Sequence, residues 1–181
     1  MLETLISSKT RIKLLLKFFL NSNTSAYLRG LESEFGESSN AIRLELNRLE
    51  KAGMLSALSK GNKKVFQANT THPLFWEINA ILKKQLGFDT IIENVIERLG
   101  KVEKVFVTGA LARGIDSQII DLVIIGNVNK EYLIRLIDKA EALISRKIRY
   151  VVFDANEEIS IKWSDVDNEP FLIWDSTKFI R

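Results

Sequence analysis

Apolar residues recur at helical spacing through residues 9–21, where Ile12, Leu15, Leu16, Phe19 and Leu20 share one face and Lys9, Arg11, Lys13 and Lys17 spread over the remainder. The polar run Asn21-Ser22-Asn23-Thr24-Ser25 predicts a turn with capping residues for a second helix over Ala26–Phe35, with Leu28, Leu31 and Phe35 inward. Gly36-Glu37 ends that helix, and Ser38 is placed to cap a third running to about Ala52. Its core stripe is Ile42, Leu46 and Leu49, and Gly53 closes it in the position that favours glycine. Two strand-like runs follow, Leu55–Ser59 and Lys63–Asn69, around the turn Lys60-Gly61-Asn62.

His72-Pro73-Leu74-Phe75 opens a new unit with proline at a helix start. Trp76, Ile78, Ile81, Leu82 and Leu86 make a strongly apolar helix ended by Gly87. A second, Thr90–Leu99, carries Ile91, Ile92, Val95, Ile96 and Leu99. So much apolar surface either seals two domains together or forms a dimer interface, and dimerisation is the favoured expectation. Further on, Val105-Phe106-Val107 breaks at Gly109, and a second run (Ile119, Ile120, Leu122 to Ile125) stops at Gly126; both read as short buried strands. Lys130–Ser145 predicts an amphipathic helix, Lys147–Phe153 and Ile159–Trp163 strands, and Phe171–Trp174 a last edge strand. The chain is thus expected to be a two-domain α+β protein, with a helical and hairpin domain at 1–71, linker helices at 72–100 and a small α/β domain with a mixed sheet at 101–181.

Composition narrows the function. At 181 residues and 46% apolar content the chain can build real cores, and with no cysteine it has neither disulfides nor thiolate metal sites. The single histidine, His72, is expected to cap or pack rather than bind a metal. No apolar run reaches membrane-spanning length, and Lys13 and Lys17 interrupt the N-terminal leucines at helical spacing, so a cytoplasmic protein without a membrane partner is expected. Residues 1–69 carry eleven Lys/Arg against six Asp/Glu, whereas residues 70–181 carry fifteen against seventeen. The basic front half suggests that one end meets a polyanion.

Helices joined through a glycine turn and followed by a hairpin describe a helix-turn-helix with a wing. The run SSNAIRLELNRLEKAGML…GNKKVFQAN over Ser38–Asn69 resembles the ArsR/MarR-like winged-helix regulators. The helix face opposite the core stripe presents Ser39, Asn40, Arg43 and Asn47, with Arg48 on its flank. In a major groove Arg43 suits guanine, Asn40 and Asn47 suit adenine, and Ser38 and Ser39 suit phosphates. Lys60, Asn62, Lys63 and Lys64 in the wing are expected at the DNA, the lysines adding salt-dependent affinity. Leu44 projects near this face, toward either a thymine methyl or a dimer partner.

The stretch VTGALARGIDSQIIDLVIIG at 107–126 resembles the core motif of the minimal nucleotidyltransferases of the DNA polymerase β superfamily, matching it at Gly109, Ala112, Arg113, Gly114, Asp121 and Leu122. It departs where the family has a serine (Ala110), where it has the first aspartate of a pair (Ile119), and in a shortened loop carrying Asp116. Two-metal nucleotidyl transfer needs about three carboxylates, and Asp121 is the one in place, so no catalytic residue, metal or cofactor is expected. Gly109, Arg113, Gly114, Asp116 and Asp121 then either stabilise the turn, with Arg113 pairing Asp121 or Asp116, or line a pocket for a nucleotide or phosphorylated effector. The expectation is a dimeric DNA-binding transcriptional regulator with a degenerate nucleotidyltransferase-like domain. An active nucleotidyltransferase and an antitoxin or adaptor acting through protein contacts are the alternatives.

Overall fold

A computed structural model describes residues 2–161, 163 and 170–177. The chain divides into two compact units, Met1–Gln85 and Leu86–Arg181. The division falls inside the 72–100 stretch, placing almost all of the helix after Pro73 in the first unit and the next helix in the second.

The first unit begins with α1 (Leu2–Leu5) and α2 (Lys9–Leu15), the latter capped by Ser8, whose Oγ accepts from the Arg11 amide at 3.2 Å. α2 continues as a π-helical turn over Leu16–Leu20. This segment is buried on every side: Leu14, Phe18 and Phe19 are fully enclosed, and so is most of Lys17. Lys17 was expected on a polar face. It is instead 7% exposed, because Glu34 accepts both of its close contacts, at 2.8 and 2.9 Å. The end of the π-turn is closed by the buried Asn79, whose amide donates to Phe19 O at 2.6 Å and Leu20 O at 3.3 Å.

Residues Ser25–Tyr27 form a strand, β1, rather than the start of a helix, and α3 covers Leu28–Phe35. The reason lies far along the chain: Ser25, Ala26 and Tyr27 pair antiparallel with Gln67, Phe66 and Val65. Gly36, at φ 64, ends α3 in the left-handed conformation. α4 runs Ser39–Lys51 with Ile42, Leu46 and Leu49 buried, as its stripe dictates. β2 (Leu55–Lys60) and β3 (Lys63–Ala68) close a hairpin over Gly61-Asn62, and the sheet order is β1-β3-β2. α5 (Phe75–Leu86) packs Phe75 against Phe19 with ring centroids 5.5 Å apart.

The second unit opens with α6 (Phe88–Ile91), which runs through a π-helical turn (Ile92–Ile96) into α7 (Glu97–Leu99). Then follow β4 (Val102–Thr108), the single turn α8 (Gly109–Ala112), β5 (Ile119–Gly126), α9 (Lys130–Ile144) and β6 (Lys147–Phe153). A 3-10 helix covers Ala155–Ser160, and β7 covers Phe171–Asp175. The sheet is mixed, in the order β6-β5-β4-β7, with β5 and β6 parallel through the α9 crossover and the other pairs antiparallel. α9 buries Leu133, Leu136, Ile137 and Ala140, while Val123 and Ile125 of β5 pack with Ile161, flanked by Phe106, Phe153 and Trp163. The strand expected over Ile159–Trp163 is not formed at Ile159 and Ser160, which end the 3-10 helix; Lys162 lies outside the described residues.

Candidate functional site

α4 owes its start to Ser38, whose Oγ accepts from the Ala41 amide at 3.3 Å, leaving the hydroxyl proton free to donate. Along the helix the buried stripe fixes the opposite face. Asn40, Arg43, Asn47 and Arg48 are exposed there, and Ser39 is half-buried. Leu44, 50% exposed, shares this face. The hairpin tip carries Lys60, Asn62, Lys63 and Lys64, all exposed. Between helix and hairpin lies a cleft of about 550 Å³ whose walls include Arg43, Asn47, Asn62, Lys63 and Lys64. Nine of the ten expected residues therefore lie on α4 and the hairpin, with Ser38 at the cap of α4, and five of them line a single cleft.

The rest of the cleft's lining is Tyr27, Leu28, Arg29, Leu46 and Phe66, and much of it is therefore apolar. Tyr27 was not legible there, because it ends β1 and β1 forms only through its partner β3; Arg29 lies on α3. The structure also distinguishes the cations. Lys64 is bound to Glu50 of α4 at 2.7 Å, and Arg48 Nη1 donates to Glu45 at 3.0 Å. Lys63 instead lies over the Tyr27 ring, 4.5 Å from its centroid.

Glu45 is the hinge of α4's seating. It is 5% exposed and accepts from Arg11 Nε at 2.8 Å, Arg11 Nη2 at 3.2 Å, Ser8 Oγ at 3.1 Å and Arg48. Burial raises its pKa, but the hydrogen bonds from Arg11 and Ser8 and the charges of Arg11 and Arg48 outweigh this and hold it below the ordinary carboxylate value. Glu37, in the turn before α4, is lowered in the same balance: burial raises it, and Lys13 and Thr10 more than reverse that. α4 is thus fastened at both its start and its middle to α2.

The second unit brings Gly109 and Asp121 together. Thr108 and Asp121 are cross-strand neighbours in β4 and β5, and Gly109 turns the chain at φ 64. A Cβ at Gly109 would collide with Asp121 Oδ2 and lie 3.1 Å from its Cγ, so the glycine makes room for the carboxylate. Asp121 Oδ1 accepts from Arg149 Nε at 2.7 Å, and Arg149 is its register partner on β6. That hydrogen bond and the carboxylate charge push the Arg149 pKa upward. Asp116 is held by Arg146 at 2.8 Å, and Arg146 also donates to Ser117 O. The pairing expected of Arg113 is therefore made by two other arginines. Arg113 instead C-caps α8 and is half-buried, while Gly114 is buried at φ 75. The two aspartates end on separate arginines, and among the described residues no group of three or more His, Cys, Asp or Glu is placed to hold a metal ion.

No family model matches the chain, and no curated protein matches it. Among solved structures, a crystal structure from Sulfolobus solfataricus provisionally described as a nucleotidyltransferase aligns with 23% identity over 56% of this chain and 88% of that one, at a TM-score of 0.36. A likeness at that level leaves the function to be argued from the site itself. Among the described residues no helix is long and apolar enough to cross a membrane.

Proposed function

We propose that residues 1–85 form a winged helix-turn-helix that binds double-stranded DNA, and that the protein is a transcriptional regulator. α3 and α4 are the two helices of the motif, and the β2–β3 hairpin is the wing. The observation that carries this reading is the convergence of Arg43 and Asn47 of α4 with Asn62, Lys63 and Lys64 of the hairpin on one cleft. A helix of 13 residues with one face exposed fits a major groove, with Asn40, Arg43 and Asn47 toward base edges. Lys60 and Lys63 supply phosphate contacts, which release counterions and give affinity that falls with salt. A single helix reads only a half-site, so the working form is a dimer whose two α4 helices lie about one DNA turn apart.

The second unit, on this proposal, is a nucleotidyltransferase-like scaffold that serves dimerisation or effector sensing rather than transfer. Support comes from the site's residues: Ile119 stands where the first aspartate of the pair would be, and Asp121 is bound to Arg149 of the neighbouring strand. The alternatives, active nucleotidyl transfer and protein-contact adaptor, lack a comparable constellation. Enrichment of the full chain on a random duplex library tests the proposal. A shared sequence bound with affinity that declines steeply between about 50 and 200 mM salt is expected. Failure to enrich any duplex refutes it.

A further inference from the structure

Of the large apolar residues of α4, Ile42, Leu46 and Leu49 are buried, whereas Leu44 is 50% exposed. It stands two positions after Ile42 and two before Leu46, which turns it about 200° of helix away from each and sets it at the centre of the outward face. Asn40 lies one turn before it and Arg48 one turn after, with Lys51 beyond, all exposed. The two arginines beside it are drawn to opposite flanks: Arg43 lines the cleft toward the hairpin, and Arg48 Nη1 donates to the buried Glu45 at 3.0 Å. The middle of the face is left to Leu44, between the Asn40 and Asn47 amides. A lone exposed leucine is ordinary on a protein surface. This one sits among three cations, Arg43, Arg48 and Lys51, and the nearby carboxylate of Glu50 is taken by Lys64 at 2.7 Å. Two copies of such a face would set like charges against each other, whereas a polyanion complements them.

We infer that Leu44 is a specificity-determining residue that reads the C5-methyl group of a pyrimidine in the major groove. The inference rests on the DNA-binding reading and names the base feature that meets the middle of the helix. Thymine shows a methyl group in that groove, while guanine, adenine and unmodified cytosine show hydrogen-bonding groups alone. A leucine pressed against those groups strips them of water and offers no bond in return, which disfavours the bases that carry them. Against a methyl it removes apolar surface on both sides from water. Cytosine methylated at C5 presents the same methyl, so Leu44 also makes binding respond to cytosine methylation at that position.

The test is fluorescence anisotropy of the full chain on the enriched duplex, with each thymine replaced in turn by deoxyuridine, which deletes the methyl and keeps the base pair. One thymine in each half-site should be sensitive, and removing its methyl should weaken binding about fourfold, the worth of one apolar carbon withdrawn from water. Cytosine placed there should bind more weakly still, and 5-methylcytosine should recover affinity over cytosine. Leu44→Ala should bind the thymine and deoxyuridine duplexes alike, and Leu44→Met, which keeps an apolar reach, should preserve the difference. An enriched sequence without a methyl-sensitive thymine would overturn the inference. A penalty that persists undiminished in Leu44→Ala would overturn it too, and a shift of that variant from dimer to monomer on sedimentation would then assign the residue to a second copy. A parent chain that binds no duplex would remove the reading on which the inference rests.

Discussion

Replacing Glu45 with glutamine tests how α4 is held. The carboxylate is 6% exposed, whereas its partners Arg11 and Arg48 are 37% and 55% exposed. Breaking a wholly buried pair costs about 3–5 kcal/mol and an exposed one about 0–1. With one partner buried and the other two more than a third open to screening, Glu45→Gln should destabilise the first unit by about 2 kcal/mol. At roughly 4–8 °C per kcal/mol for a unit of this size, melting should fall by about 8–16 °C. The pH dependence fixes the sign. Glu45's folded pKa lies below its unfolded value, so its stabilisation is fully present above the unfolded value and is lost as pH falls through the folded one. Denaturant melts of parent and variant should therefore differ at pH 7, and the difference should shrink as pH falls below the ordinary carboxylate range and through the lowered folded value. Equal stability at pH 7, or a gap that persists undiminished in acid, would refute the reasoning.

Three further outcomes follow from the packing. Asn79→Leu strips both amide donors from the buried carbonyls of Phe19 and Leu20, and should cost the first unit about 2 kcal/mol in urea unfolding. Gly109→Ala meets both φ 64 and the Asp121 carboxylate, and should lower the stability of the second unit by about 2–3 kcal/mol. With labelled nucleoside triphosphates and Mg²⁺ or Mn²⁺, the parent chain and Asp121→Asn should be equally without transfer. Product from the parent that Asp121→Asn abolishes would establish catalysis.

Much of the architecture follows from local pattern. α4 has its cap, stripe and glycine stop within sixteen consecutive residues (38–53), and the Gly61-Asn62 turn needs no distant partner to define the hairpin. β4, β5, α9 and β6 likewise lie where period and glycine punctuation place them. What could not be read was set by partners far along the chain. Ser25–Tyr27 is a strand only because β3 arrives some forty residues later. Lys17 looks like a surface lysine until Glu34 neutralises it in the interior. The carboxylates near Gly109 find Arg149 and Arg146 rather than Arg113, since register across β5 and β6, not spacing in sequence, decides which side chains meet. For the candidate interface, the exposed face of α4 was legible from its heptad-like stripe. The place of Tyr27 in the cleft was not, because it depends on the unforeseen strand.

The account stands most directly on Arg43. Its side chain, exposed on α4 and at the cleft, is assigned to a base edge rather than to phosphate. The decisive measurement is the ratio of affinities for an enriched and a scrambled duplex, in the parent and in Arg43→Ala. A bidentate arginine–guanine contact is worth about 1–3 kcal/mol of discrimination, so the ratio should fall by roughly 5- to 150-fold while affinity for the scrambled duplex changes little. An unchanged ratio, or no sequence preference in the parent to begin with, would contradict it.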